Sequence, residues 1–369
     1  MHQNKWSVDH FIFHEYATCN SSLGIYRVLF AACVLFVYLP EHLWVSEFPN
    51  SFFTPPIGPT AILFTGFPSL WIFRALNALE IFATIFLLFG YRTRFASFAL
   101  ASMLFFGNCW AFSFGKIDHD IFMILVPLVM SFSSWGTAYS IDAAPIDAGD
   151  DSASAWPIAL LALLTAFGMM SAAIPKVVSG WLNPHSHAVL AHLIKNAFVE
   201  GRLNWIATEL MGIRSGLFWK SLDYFTVTVE ASFLFVVRSR RSFRVACAVA
   251  CLFHLGIALT MDIIYWPNLL VYGAFANWSV LESNSIGNRL VRLWQATVLF
   301  FSPSRAFALG SLLSMLYLGF GNPLRKITDR FVPASDALGL IVCIFGALVA
   351  LAFLANSLIR GAVPYRPRC

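Results

Sequence analysis

Three separated stretches of the sequence carry side chains able to do acid–base chemistry. Lys176 closes an apolar run in "AAIPKVVSGWLNP", Asp118, His119 and Asp120 stand together in "GKIDHD", and His254 lies within "CLFHLGIALTMD". A lysine on apolar walls loses the solvation of its ammonium and can hold the free amine that a general base needs. Pro175 is expected to break the helix just before it. A carboxylate beside His119, from Asp118 or Asp120, would fix the imidazole tautomer and leave the other nitrogen for a substrate. Each stretch also has a plainer reading. Lys176 can snorkel beside Trp181 as an interfacial belt residue, Asp118 can cap a helix whose dipole favours Asp120, and His254 can make a structural hydrogen bond to a neighbouring helix.

Other polar groups fall inside apolar runs: Arg27, Arg74, Asn77, Glu80 and Glu230. Ionisable groups at membrane depth are costly and take partners, so Arg27 or Arg74 is expected to form a structural ion pair with Glu80. Asn77 and Glu80 share a helix face at i,i+3. His10 and His14 stand at i,i+4, and His185, His187 and His192 crowd one segment, but spacing places no further ligand, so no metal site is expected. The chain has no P-loop, nucleophile elbow, HExxH or dinucleotide fingerprint.

The elements that must position these residues are membrane helices. Of 369 residues, 59% are hydrophobic and 12% charged, with a mean hydropathy of +0.72, against about 45–50% and about 25% in soluble domains. The expected fold is all-α, a polytopic transmembrane bundle of eight to ten spans with interfacial amphipathic helices. Candidate spans are Leu23–Pro40, Ser69–Phe89, Phe95–Phe114, His119–Trp135, Trp156–Ile174, Leu222–Val237, Phe243–Met261, Asn268–Val280, Ala296–Gly319 and Ala337–Leu358. The segments "WSVDHFIFHEYA" and "PHSHAVLAHLIKNAFVEGRLNWIATELMG" read as surface helices. The loop Ile141–Ala155 reads as a flexible connector. The start of the chain has no cleavable signal pattern, so the N-terminus is expected to be retained. The seven cysteines, mostly inside apolar runs, read as core fillers. A formal charge of +5 suits cytoplasmic loops and gives no ground for nucleic-acid binding. With the N-terminus cytoplasmic, the dense turns "YRTR" and "RSRRSFR" lie inside, as the positive-inside rule favours. Lys176, the start of the His119 span and a cavity near His254 then face the other side.

In their order and spacing, "LGIYRVLFAACVLF", "GYRTRFAS", "GKIDHDIFMILVPLVMSFSSWGTAYSID", "IPKVVSGWLNP" and "LFHLGIALTMDIIYWPNLLVYGAF" resemble the HTTM superfamily. This is the membrane domain shared by vitamin K-dependent gamma-carboxylases and many bacterial proteins. The resemblance covers Ser7 to Ser283. It implies an HTTM-like transmembrane domain over 1–283, followed over 284–369 by a further transmembrane hairpin and a short basic tail. It also implies Lys176 as the base of a quinol epoxidation step, with His119 and His254 as catalytic helpers and Asp118, Asp120 and Trp181 in support. After "FH" this chain has Gly256 and Ile257 where the family has an asparagine–serine pair, and it lacks the large luminal domain that presents glutamates.

The function implied is that of a membrane enzyme in the cell (inner) membrane. It would use a reduced, vitamin K-like quinone on a smaller substrate or with a separate partner protein. The alternative is a non-catalytic accessory protein for export, maturation or immunity of a small secreted peptide. A transporter would be expected to show inverted repeats and broken midplane helices, and the sequence displays neither clearly. Expected partners are the lipid bilayer, a small-molecule quinone and, on the alternative reading, such a secreted peptide.

Overall fold

The structure, a computed structural model, describes residues 7–38, 42–115, 117, 119–143, 152–321 and 335–359. It is an all-α polytopic helical bundle. The helices are α1 (Asn20–Cys33), α2 (Leu70–Phe89), α3 (Thr93–Ala111), α4 (Ile121–Met130), α5 (Trp156–Val178), α6 (Ala188–Phe198), α7 (Trp205–Met211), α8 (Gly216–Val236), α9 (Arg240–Met261), α10 (Trp266–Gly273), α11 (Ser285–Phe300), α12 (Pro303–Phe320) and α13 (Ser335–Ile359). A two-stranded antiparallel ladder pairs β1 (Thr18–Cys19) with β2 (Ser152–Ala153).

Among the described residues, six helical stretches are long and apolar enough to cross a membrane: Asn20–Glu47, Leu70–Phe89, Thr93–Phe114, Trp156–Val178, Arg240–Met261 and Ala337–Leu358. A seventh arises if α11 and α12, bent by 93° at their junction, are taken together. The ten expected spans thus contract for identifiable reasons. The His119–Trp135 span is a ten-residue helix followed by turns. The Asn268–Val280 span is the eight-residue α10. Helix α8 has the length, but Lys220, Asp223 and Glu230 keep it out of the apolar class. The Ala296–Gly319 span is broken where Ser302 caps α12 and Pro303 takes its first position. Proline has no N–H to give and suits a helix start. Pro175, by contrast, does not break its helix, and α5 runs on to Val178.

Contacts divide the chain into two compact units, each discontinuous in sequence. One joins the N-terminal residues up to Glu15 with Ala159–Gly273 and α13, and the other joins Tyr16–Ile158 with Ala274–Ser335. Within the second unit α12 packs along α2.

In the second unit, α2 contacts α1, α3 and α12, and α3 contacts α4. Helix α2 ends at Gly90, whose φ of +67° is a left-handed conformation that glycine adopts without strain, and Tyr91 N–H closes the turn on Phe86 O. Asp142 then accepts from the Thr93 N–H at 3.0 Å, at the start of α3. Arg27 of α1 is wholly buried and donates to three carbonyls of the turn after α4: Trp135 at 3.0 Å, Ala138 at 3.3 Å and Tyr139 at 2.6 Å. The same turn donates from Ile141 N–H to Phe89 O and from Asp142 N–H to Gly90 O.

These bonds fix a topology that length alone would miss. Helix α3 leaves the α2–α3 turn, and the chain comes back to that turn by residue 142. The short α4 and the turns after it therefore retrace α3 in the opposite direction. The β1–β2 ladder sets Ala153 beside Thr18, just before α1. Helix α5 thus starts at the level where α1 starts and rises about 34 Å over its 23 residues.

Five described cysteines, Cys33, Cys109, Cys247, Cys251 and Cys343, are free and sit among the apolar helices, but Cys19 is disulfide-bonded, so the core-filler reading fails for it. Arg27→Leu would take this donor from the Trp135 and Ala138 carbonyls and leave Tyr139 O with Trp294 alone, and is expected to cost about 3 kcal/mol or more. Thermal unfolding in detergent micelles checks this, with Arg27→Lys, which offers a point charge in place of a fork, recovering part of the loss.

Candidate functional site

The polar centre of the first unit is built by α5, α6, α8 and the loop between α5 and α6. Charges at positions 220, 223 and 230 fall on one face of α8, and each meets a different stretch of chain. Asp223, with no exposed surface, accepts from the N–H groups of Ala188 (3.1 Å) and Val189 (2.8 Å) and so caps α6 from a neighbouring helix. Lys220 donates to Asp223 at 2.7 Å, to Trp181 O at 2.9 Å and to Ser186 Oγ at 3.2 Å. The Lys220 ammonium thereby ties the α5–α6 loop to α8. Its three protons each have an acceptor.

Two turns further along α8, Glu230 meets Lys176. The Lys176 Nζ lies 2.9 Å and 2.8 Å from the two Glu230 oxygens and 3.1 Å from Ala172 O, one turn back on its own helix. It also stands 5.5 Å from the centre of the Trp181 ring. His192 of α6 packs on the same indole at 5.4 Å. Lys176 is 24% exposed and Glu230 9%. Partial burial against that wall, then the Lys195 and Lys176 charges, hold the His192 pKa below the ordinary imidazole value, against the pull of Asp223.

His254 of α9 belongs to the same unit. Its Nε2 is 3.1 Å from the Tyr272 hydroxyl, which in turn reaches Met169 Sδ of α5 at 3.2 Å. Tyr265 packs on the imidazole ring at 5.1 Å.

Of the expected trio, Lys176 and His254 belong to the first unit and His119 to the second. There His119 Nε2 lies 3.9 Å from Asp120 Oδ1, with about a third of each side chain exposed. Asp118 lies outside the described residues. The ion pair expected of Arg27 or Arg74 with Glu80 is replaced by other contacts. Arg27 binds carbonyls, and Arg74 lies over the Trp71 ring at 4.9 Å. Glu80, with no exposed surface, has His42 Nδ1 at 3.6 Å. The Asn77 amide is best satisfied with its nitrogen toward Glu80 (3.3 Å) and His42 (3.2 Å) and its oxygen toward the Tyr317 hydroxyl (2.7 Å). Carbonyls met Arg27 first because the turn after α4 offers three in the fork geometry of a guanidinium.

Sequence reasoning noticed Glu230 but gave it no partner, and it missed Lys220, Asp223, His42 and Tyr272. The stripe 220, 223, 230 was a readable signal, since three charges on one face of an otherwise apolar helix call for partners. Nothing in spacing pointed to Tyr272.

No family model, no curated protein and no solved structure matches this chain.

Asp223→Ala removes the cap of α6 and leaves the Lys220 ammonium buried without its counter-charge. It is expected to destabilise the protein by about 3–5 kcal/mol, read as a loss of thermal stability in detergent, with Asp223→Asn in between because its amide oxygen still accepts from one N–H.

Proposed function

We propose that this chain is a multi-pass enzyme of the cell (inner) membrane whose acid–base centre is the Lys176–Glu230 pair. Its substrate is a hydrophobic molecule bearing an acidic hydroxyl, of the quinol class. The observation that carries the reading is the contact of one partly exposed ammonium with both oxygens of a nearly buried carboxylate, on the face of an indole. The pair is neutral overall. Passing one proton from Lys176 Nζ to Glu230 yields an amine and a carboxylic acid without creating charge. In water that transfer costs about 6 pKa units, or about 8 kcal/mol. The amine lone pair then takes the hydroxyl proton while Glu230 keeps the first, leaving an oxyanion beside an ammonium.

The resemblance of "IPKVVSGWLNP" to the HTTM superfamily supports Lys176 as the base. A reduced quinone bound there would supply the acidic hydroxyl and the reducing electrons. The donor set suits the proton-accepting half of that chemistry: a partly exposed amine backed by a carboxylate. Trp181 is covered by Lys176 and His192 and is 9% exposed, so its role is to hold the amine rather than to stack on a ring. His254, through Tyr272 and Met169, positions α9 and α10 against α5. His119 with Asp120 and Asp118 enters the reading through the resemblance alone.

The orientation belongs to the same proposal. The α2–α3 turn carries Arg92 and Arg94, and the α8–α9 turn carries Arg238, Arg240, Arg241 and Arg244. Glu15 accepts from the Arg240 N–H at 2.7 Å. With these turns and the N-terminus cytoplasmic, α5 begins inside and Lys176 opens toward the outer side. The second reading, an accessory protein for a small secreted peptide, draws on one observation: every Lys176 proton already has an acceptor, as in a purely structural ion pair.

One set of variants separates the two. In proteoliposomes supplied with a naphthoquinol probe, Lys176→Met and Glu230→Gln are each expected to lower turnover by about 100-fold or more. The double variant Lys176→Met, Glu230→Leu replaces the pair with apolar side chains and should recover stability but not turnover. Full function in a stable double variant, together with copurification of a peptide, overturns the enzyme reading.

A further inference from the structure

The second unit buries a carboxyl group that the reading of Lys176 does not use. Glu80 stands midway along α2, about 15 Å of helix from either end, and none of its surface is exposed. Asn77, one turn back, joins it to His42. The amide nitrogen donates to Glu80 Oε2 at 3.3 Å and to His42 Nδ1 at 3.2 Å, and the amide oxygen accepts from the His42 N–H at 3.2 Å and from the Tyr317 hydroxyl of α12 at 2.7 Å. Glu80 Oε1 is left with no hydrogen-bond partner. His42 Nδ1 lies 3.6 Å from it, too far for a hydrogen bond and close enough to make one after a small tilt of the ring. That ring lies against the backbone of Gly107 in α3, where a Cβ would collide with it. The arginines of the packed helices lie elsewhere: Arg27 beside Gly90 at the end of α2, Arg74 over Trp71, Arg305 against Phe300, and Arg92 and Arg94 exposed at the α2–α3 turn. Glu47, the acid of the short helix after His42, is exposed.

We propose that Glu80 and His42 form a proton-exchange site inside the second unit, holding one proton that passes between Oε1 and Nδ1. The unsatisfied oxygen decides the ligand. With a proton on it, Oε1 turns from an acceptor without a donor into a donor that faces the ring nitrogen. A tilt of the ring closes the gap, and the proton moves across. One O–H bond breaks, one N–H bond forms, and a carboxylate and an imidazolium replace an acid and an imidazole, so the net charge of the site does not change. Carboxyl and imidazole groups at membrane depth serve proton relays in this way. A metal or alkali cation suits the site poorly. It would meet the Asn77 amide nitrogen, and among the described residues no third His, Cys, Asp or Glu stands with the pair. The site does not depend on the chemistry assigned to Lys176.

The test is infrared difference spectroscopy of the full chain in proteoliposomes, with the spectrum of Glu80→Gln subtracted from that of the unmodified protein. A carboxylic-acid band that shifts when D2O replaces water is expected at neutral pH. His42→Gln should keep the band and slow that shift about 100-fold, the factor a positioned acid–base group contributes. Gly107→Ala, which pushes the ring off its seat, should slow it likewise and serves where His42→Gln does not fold, as thermal unfolding in detergent reveals. A carboxylate band in place of the acid band overturns the proposal, as does an acid band that never exchanges. Exchange as fast in the folded His42 or Gly107 variant as in the unmodified protein overturns it too. So does an acid band that disappears on adding sodium chloride, since the site would then hold the cation.

Discussion

Among the described residues, Arg27, Lys176, Lys220 and Asp223 are charges withdrawn from water that are met by an opposite charge or by backbone groups, in large part from a distant stretch of sequence. The cost of leaving one unmet is several kcal/mol, more than most single packing contacts contribute. Helix placement follows from these meetings. Arg27 draws the turn after α4 onto α1, Lys220 and Asp223 seize the loop and the helix start that follow α5, and Lys176 locks the end of α5 to α8. The apolar faces pack around these fixed points, as the burial of Trp135 between Tyr26 and Phe30 beside Arg27 illustrates.

The two ion pairs on α8 differ in how far each is withdrawn from solvent. Lys220 and Asp223 are almost wholly buried, and their remaining bonding capacity goes to backbone groups of the loop and of α6. Such a pair holds geometry and offers nothing to a substrate. Lys176 keeps a quarter of its surface and faces an indole, while Glu230 behind it is nearly buried. The rigid pair sets the position of Trp181, and Trp181 sets the position of the amine.

Helix α11 shows a different constraint, an apolar side left uncovered. Its Ile286, Leu290, Leu293 and Leu299 are exposed, and Arg289 and Arg292 share the helix. Trp294 donates to Tyr139 O at 3.1 Å and its ring stacks on Phe89. An amphipathic helix with an uncovered apolar stripe lies flat in an interface more readily than it crosses one. The 93° bend into α12 accomplishes that change of direction.

Much of the architecture was legible in the sequence, because a run of about 20 apolar residues has few fates other than a membrane helix. Composition, the all-α class, most of the long helices and the presence of Lys176 at the end of one of them follow from that rule. Reading α4 as a full span went astray because a short helix that retraces its neighbour through turns has no signature in hydropathy. The partners of the buried charges were equally hidden. Arg27 and Glu80 look like a natural ion pair on a sequence, yet carbonyls and His42 take them, and Glu230 stood unassigned beside a lysine 54 positions earlier. Local pattern determines which residues enter the apolar phase and in what secondary structure. Which charge meets which depends on how helices cross in three dimensions, where a few ångströms decide an electrostatic contact, and that was settled by the tertiary structure alone.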